Sequence, residues 1–428
     1  MMSRIKLDEN ELEERIKKNY ERLSEPYYQI GEIFADDTYD WPGDKEGRAL
    51  LSFVCHYKMH GKKMPCMTDM IEQIPDRTND NYYFGKTHTE IIDEQQLSGH
   101  NWYLRGLLDY YEQFGDELVL HYAKSTVEHL YLPTKGRYAG YPIERTEKQG
   151  GVSGSCTGEQ NGWILSSDVG CAFMSIDGLA HYYCLTKDSR VLELLKEMQD
   201  KFDSIDKMEI KAQTHCCLTA ARGFVLLYQE TGDESYLSSA KEVAHLYIDE
   251  GMTLTYQNYN WWNRGNTWTE PCAIVDSLML MTELYKITGE ESYRTLAARI
   301  YHNGLSTAQV GNGGAGTNTV VNQKQPILKT KMYEAYFCCT MRMAEGFLYI
   351  QNHKEYLYAI SAPICKDSEG RYMAGDIMYA EVSIKKGFEH LIKSEYAQKI
   401  DGRILQPIVK YYNLPKRITD TIEQRVIF

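Results

Sequence analysis

One grammar recurs four times along this chain: an apolar stretch with helical spacing, a short turn of Gly or Lys before an acid, then a second helical stretch. The turns are Phe114-Gly115-Asp116, Thr186-Lys187-Asp188, Thr231-Gly232-Asp233 and Thr288-Gly289-Glu290. Repetition of this kind restricts a chain to repeat architectures, because each unit buries its apolar face only against its neighbours. In the third copy Leu218, Ala221, Phe224, Val225 and Tyr228 precede the turn, and Leu237, Ala240, Val243, Ala244 and Tyr247 follow it. Glycine suits the left-handed stop of one helix and aspartate caps the next, so each copy predicts a helical hairpin. Two more first helices are expected over 45–60 and from Cys338 to about Tyr349, which makes six, starting near 46, 99, 167, 212, 269 and 338. Six hairpins wound in a ring form an all-α (α/α)6 toroid over residues 1–355, with the more apolar first helix of each pair inside.

In such a ring the first helices open their N-termini onto one funnel, where unpaired N–H groups and the positive dipole end face a ligand. The polar residues at these starts are His100, Asp168, His215, Glu270 and the pair Cys338-Cys339; Asp168 also reads as a helix cap. Beyond Tyr356 the pattern alternates, as over 356–362 and 379–384, and predicts a short β-rich appendage over 356–428. Residues 424–428 end on an apolar note, as a longer β module cut short would, or a naturally short variant. The glycine-rich stretch 312–318 lacks the Lys-Ser/Thr of a phosphate loop and is expected to be a flexible connector near the funnel.

The formal net charge of -13, from 60 acidic and 47 basic residues, argues against nucleic acid and anionic membrane surfaces as partners and favours a small neutral ligand. Thirty-four tyrosines suit aromatic helix packing or a sugar-stacking cleft equally well. The first residues are charged and carry no apolar run, so a cytoplasmic protein is expected. Eleven cysteines, an odd number without an export signal, point to thiol or metal chemistry rather than to a disulfide framework.

Trp268-Thr269-Glu270-Pro271-Cys272 opens the fifth first-helix and Tyr336-Phe337-Cys338-Cys339-Thr340 the sixth. A carboxylate, a thiol two residues later and two adjacent thiols from the next hairpin make one oxygen and three sulfurs, which suits tetrahedral zinc. The competing explanation is buried cysteines acting as small core residues, for which a Cys-Cys pair at a helix start is a poor position. Cys216-Cys217 lies within a helix with no third ligand at useful spacing and reads as core. His56 and His60 share a helical face and read as solvated.

The Glu-x-Cys motif, followed 66 positions on by Cys-Cys-x-x-x-x-x-Glu-Gly-Phe-Leu-Tyr, resembles the catalytic core of glycoside hydrolase family 127, the β-L-arabinofuranosidases, and of its relative family 146. The resemblance runs from about residue 98 to 355. It implies a Zn2+ ion held by Glu270, Cys272, Cys338 and Cys339, with Cys338 also the nucleophile of a retaining hydrolysis that releases L-arabinofuranose or a similar small furanose. It implies further that His100 and His215 contact sugar hydroxyls. Trp261, Trp262 and Trp268 lead up to Glu270 and are candidates either for stacking on a sugar ring or for pinning the loop.

Two positions depart from the family. Its acid/base glutamate, sixteen residues before the zinc glutamate, corresponds here to Leu254, and its Pro-Pro-Asn after the cysteine pair to Thr340-Met341-Arg342. A side chain such as leucine transfers no proton; Glu250, at the end of the preceding helix, is the candidate acid, on condition that the loop is rearranged relative to the family. Two other functions fit the same ring: a toroidal sugar epimerase or unsaturated-uronide hydrolase, and a non-catalytic zinc-containing sugar-binding protein. The expected partner is a small carbohydrate, and a homodimer is compatible with the sequence.

Overall fold

A computed structural model describes residues 3–34, 41–87, 90–144, 154–391, 397–408 and 410–428. Among the described residues twelve helices of nine residues or more follow one another: α1 (Glu9–Leu23), α2 (Asp44–His60), α3 (Met67–Arg77), α4 (Glu94–Phe114), α5 (Glu117–Thr126), α6 (Ser175–Thr186), α7 (Ser189–Asp203), α8 (Thr214–Thr231), α9 (Glu234–Leu246), α10 (Pro271–Thr288), α11 (Glu291–Arg299) and α12 (Cys339–Asn352). None is long and apolar enough to cross a membrane. All eleven cysteines are free thiols.

The four turns form the stops and starts that their residues dictate. Gly115, Lys187, Gly232 and Gly289 are left-handed, and each donates its N–H to a tyrosine carbonyl four residues back: Tyr111, Tyr183, Tyr228 and Tyr285. Asp116, Asp188 and Asp233 then cap the second helices through their side chains. In three copies the same tyrosine reaches over the turn, its hydroxyl donating to Glu117, Glu234 or Glu291 in the first turn of the second helix. This Tyr-to-Glu clasp, six residues apart, is a further element of the repeat.

The structure shifts several expected boundaries. Helix α4 starts at Glu94 rather than near 99, because the Asp93 carboxylate caps the N–H groups of Gln95 and Gln96. Helix α6 starts only at Ser175, after a 3-10 turn over Cys171–Met174 whose cap position is Gly170, so Asp168 does not cap it; its carboxylate accepts from the N–H of Gly154 at 3.0 Å instead. Helix α12 is followed by strands rather than by a partner helix. His56 is buried, not solvated, and burial pushes its pKa down to about 3.

The described residues form two compact units, one of Leu23–Tyr247 and Trp261–Asn263, the other of Met1–Arg22, Ile248–Asn260 and Arg264–Phe428. In the first, α2 packs along α4, α4 against α6, and α6 against α8. In the second, α10 packs against α11 and α12, and the C-terminal strands form an antiparallel sheet. Its long strand Ile377–Ser383 pairs with Tyr372–Ala374, Arg403–Pro407 and Glu423–Val426, while Tyr372, Leu405 and Ile427 form a small core. The N-terminal strand Ser3–Ile5 joins this unit by pairing with Ala359–Ser361.

The glycine-rich stretch is not a loose connector. Residues 313–318 are buried, and a Cβ on Gly313, which sits at φ +87°, would lie 2.0 Å from the Lys18 carbonyl oxygen; one on Gly314 would lie 2.4 Å from the Glu334 carboxylate. These glycines are there because backbone and carboxylate approach closer than any side chain permits.

Candidate metal centre

Two helix starts of one unit build the centre. Pro271 at the first position of α10 has the fixed φ that suits a helix start, and it places Glu270 at the cap position and Cys272 within the first turn. The strand-like approach to this start is held by hydrogen bonds: Glu270 N–H donates to Asn258 at 2.8 Å, Thr269 N–H to the Asn318 carbonyl at 2.9 Å, and Asn318 N–H to the Thr269 hydroxyl at 2.8 Å. Cys338 occupies the cap position of α12, with Cys339 its first helical residue.

One ligand atom from each of Glu270, Cys272, Cys338 and Cys339 lies within 4.8 Å of the others. The Cys272 and Cys339 sulfurs are 3.3 Å apart, and those of Cys338 and Cys339 are 3.4 Å apart. Cys272 and Cys339 are buried, whereas Cys338 is partly exposed. The thiol contacts, first with Cys272 and then with Cys339, hold the Cys338 pKa well above the ordinary thiol value, and burial does so first for Cys339. Thiols packed this closely resist ionising together unless a cation offsets their charge. The donor set, three sulfurs and a carboxylate oxygen gathered within 4.8 Å, therefore suits a soft divalent ion.

One turn below the ligands lies a feature the sequence did not disclose. Arg342 on α12 is buried and pairs with Asp276 on α10 and with Glu345 on its own helix. Asp276 lies four residues after Cys272 and Arg342 four after Cys338, so the ion pair ties together the two helices that carry the thiols. The equal one-turn offset was the available signal.

The other candidates divide between the units. His100 is buried in the second turn of α4; its Nδ1 donates to the Gln96 carbonyl at 2.7 Å and its Nε2 accepts from Phe84 N–H at 2.9 Å. Burial lowers its pKa to about 4. His215 is buried in the first turn of α8 and stacks on Trp102 at 5.8 Å, over which the Arg48 guanidinium lies at 4.2 Å. Trp261 and Trp262 are fully buried, and Trp262 N–H donates to the Ala212 carbonyl at 3.0 Å. These four residues belong to the first unit. In the second, Trp268 is partly exposed with the Lys331 ammonium 4.5 Å above its ring. Glu250 is exposed at the end of a π-helical turn, Tyr247–Gly251. Leu254 is held by both main-chain groups, its N–H donating to the Val321 carbonyl at 3.0 Å and its carbonyl accepting from Arg371 at 2.7 Å.

A family model described as the β-L-arabinofuranosidase GH127 catalytic domain matches residues 73–345. Among solved structures, a GH127 β-arabinofuranosidase is 12% identical with a TM-score of 0.52; the match covers 89% of this chain and 62% of that one, so this chain spans less than two thirds of its length. A GH127 β-L-arabinofuranosidase from Geobacillus stearothermophilus T6 is 13% identical with a TM-score of 0.54, covering 100% of this chain and 81% of that one. A sugar epimerase from a ruminal bacterium is 11% identical with a TM-score of 0.54, covering 80% and 98%. No curated protein matches the chain by sequence. The structural likeness shows the fold class that the repeat predicts, an (α/α) toroid with a β-rich C-terminal region.

Proposed function

The chain belongs to the family of GH127 β-L-arabinofuranosidase catalytic domains, and from that premise we propose that it is a retaining glycosidase that releases L-arabinofuranose or a similar small furanose. The observation that carries this proposal is the partly exposed Cys338 thiol set against two buried thiols and the Glu270 carboxylate within 4.8 Å. Zinc held by these four residues would supply the charge that keeps the thiols ionised at neutral pH.

Cys338 is the nucleophile in this scheme, as the partly exposed residue among the three cysteines. Its sulfur attacks the anomeric carbon, a C–S bond forms, and the C–O bond to the leaving group breaks as that oxygen takes a proton from a carboxylic acid. Water, deprotonated by the same carboxylate, then attacks the anomeric carbon; the C–S bond breaks and the thiolate is restored. We assign the proton to Glu250. Trp268, partly exposed beside Glu270, is the best placed of the three tryptophans to meet a ring face, whereas the burial of Trp261 and Trp262 suits pinning of their loop. His215 is the stronger candidate for a sugar contact than His100, whose two ring nitrogens already serve the backbone. We place the protein in the cytoplasm, with the catalytic toroid over 1–355 and the β-rich appendage over 356–428.

Leu254, at the family's acid/base position, favours a second function: a zinc-containing protein that binds a furanose without turning it over. Metal analysis and a screen of nitrophenyl furanosides, run on wild type, Cys338→Ser and Cys339→Ser, separate the two. The glycosidase proposal expects turnover that Cys338→Ser abolishes while sugar binding persists, and loss of metal in Cys339→Ser. Full metal content and sugar binding with no turnover on any furanoside would leave the binding protein. A metal-free wild type would remove both and return the toroidal epimerase or uronide hydrolase to consideration.

A further inference from the structure

Helix α1 lies outside the part of the chain that the family model matches, which begins at residue 73. We infer that α1 is nevertheless a working part of the metal site, and that Glu334 is the positioning residue through which it holds the turn bearing Cys338 and Cys339. The inference rests on the proposed metal centre.

The turn from Glu334 to Thr340 is tied down on both sides of the cysteine pair. On the near side, four residues before Cys338, the Glu334 carboxylate accepts three hydrogen bonds: from Arg22 Nε in the last turn of α1 at 2.8 Å, from Asn312 at 2.6 Å and from the Thr340 hydroxyl at 3.1 Å. On the far side, Thr340 follows Cys339 directly. Its carbonyl accepts from Asn19 Nδ2 of α1 at 3.0 Å, and its hydroxyl accepts from Ala315 N–H at 3.1 Å. Asn19 Nδ2 also donates to the Gly313 carbonyl at 3.0 Å. Helix α1, the close-packed glycine stretch and the cysteine turn thus meet in one hydrogen-bonded knot, with the Glu334 and Arg22 side chains only 9% and 13% exposed.

Such a knot answers a need of the site. When ionised, three thiolates and a carboxylate repel one another, and two of the four ligands sit side by side on one turn. A turn free to open would relieve that repulsion by swinging the cysteine pair away. Hydrogen bonds to the Glu334 carboxylate are charge-assisted and of the strong kind, and its side chain is largely buried. Groups that orient ligands without touching the metal typically change metal affinity 10- to 100-fold when removed.

The test uses the full chain, stripped with a chelator under reducing conditions and titrated with cobalt(II) against a chromophoric competitor. Wild type is expected to develop thiolate-to-cobalt absorption. Glu334→Gln and Arg22→Met should each weaken affinity by about 10- to 100-fold and alter that absorption. The double variant should lose no more than either single one, and Arg22→Lys, which keeps the charge, should recover most of the loss. Arg22→Met leaves the turn's own sequence intact, so it keeps the test open if Glu334→Gln folds poorly. Variants that lower the unfolding midpoint but bind cobalt with wild-type affinity and spectrum would overturn the inference. A wild type that shows no thiolate-to-cobalt absorption would instead overturn the metal centre on which it rests.

Discussion

Replacing Arg342 with methionine removes the cation from a buried triad while keeping most of its volume. Arg342 is 1% exposed, Asp276 0% and Glu345 7%, so neither carboxylate left behind has ready access to water. Breaking a buried pair by deleting one partner costs roughly 3 to 5 kcal/mol, most of it the penalty of an uncompensated buried charge. At 1.36 kcal/mol per decade, the folded-to-unfolded ratio of the unit falls by roughly two to four orders of magnitude. Exchanging the whole triad for apolar residues, as Arg342→Met with Asp276→Leu and Glu345→Met, leaves no charge stranded and should return stability to within about 1 kcal/mol of wild type. Urea unfolding of the metal-free, reduced protein, followed by tryptophan fluorescence and circular dichroism, measures both. A single variant within about 1 kcal/mol of wild type would refute the reasoning, because the pair would then matter little. A triple variant as unstable as the single one would refute it too, by tracing the loss to packing rather than charge.

Gly313→Ala should cost several times more stability than Gly232→Ala. Both positions have positive φ, worth about 1 to 2 kcal/mol for a side chain, but only at Gly313 does the new methyl meet backbone, at 2.0 Å, and equal losses in thermal denaturation would contradict this. The buried His100 should make the protein acid-sensitive. Its pKa falls from 6.5 unfolded to about 4 folded, so its contribution is complete above pH 6.5 and is lost as pH drops toward 4. A stability–pH curve over that window should be shallower in His100→Asn, and an unchanged slope would exclude the residue. Leu254→Glu restores a carboxyl at the family's acid position and should raise turnover on nitrophenyl furanosides; a rate no higher than wild type would show that the missing acid is not what limits this site.

The parts of the structure legible in the sequence were those written in local chemistry. Gly232 before Asp233 states a helix stop and a helix start in two residues, and Pro271 after Glu270 states another start. Both ligand pairs stand at such starts, so the thiols and the carboxylate come together as the motif spacing suggested. Features that depend on partners far away in the chain carry no such local signal. The 312–318 stretch reads as flexible until Lys18 and Glu334 close upon it. The sixth first-helix has its hydrogen-bonding partner at the other end of the chain, in Asn19 of α1, where no local hairpin pattern would point.

The same distinction separates the candidate metal residues from the proposed proton donor. The loop between α9 and α10 is not ordered by its own sequence alone. Thr253 N–H donates to the Gln257 carbonyl at 2.9 Å and Tyr259 N–H to the Gly251 carbonyl at 2.9 Å, which closes the loop on itself. Leu254 at its tip is then fixed from outside, by Val321 and by Arg371 of the β-rich region. Arg371 also donates to the Tyr256 hydroxyl at 3.1 Å and pairs with Asp367 at 2.7 Å, so the C-terminal strands share in setting the course of this loop. Counting sixteen residues back from Glu270 therefore lands on a position whose main chain is firmly held but whose side chain has lost the acid. For Glu250 to act as the acid at the Leu254 position, the loop would have to rearrange and give up the hydrogen bonds that Gly251 and Leu254 make in this structure. Residues of the C-terminal region, through Arg371, thus shape the loop that carries the Leu254 position as much as the helices that flank it do.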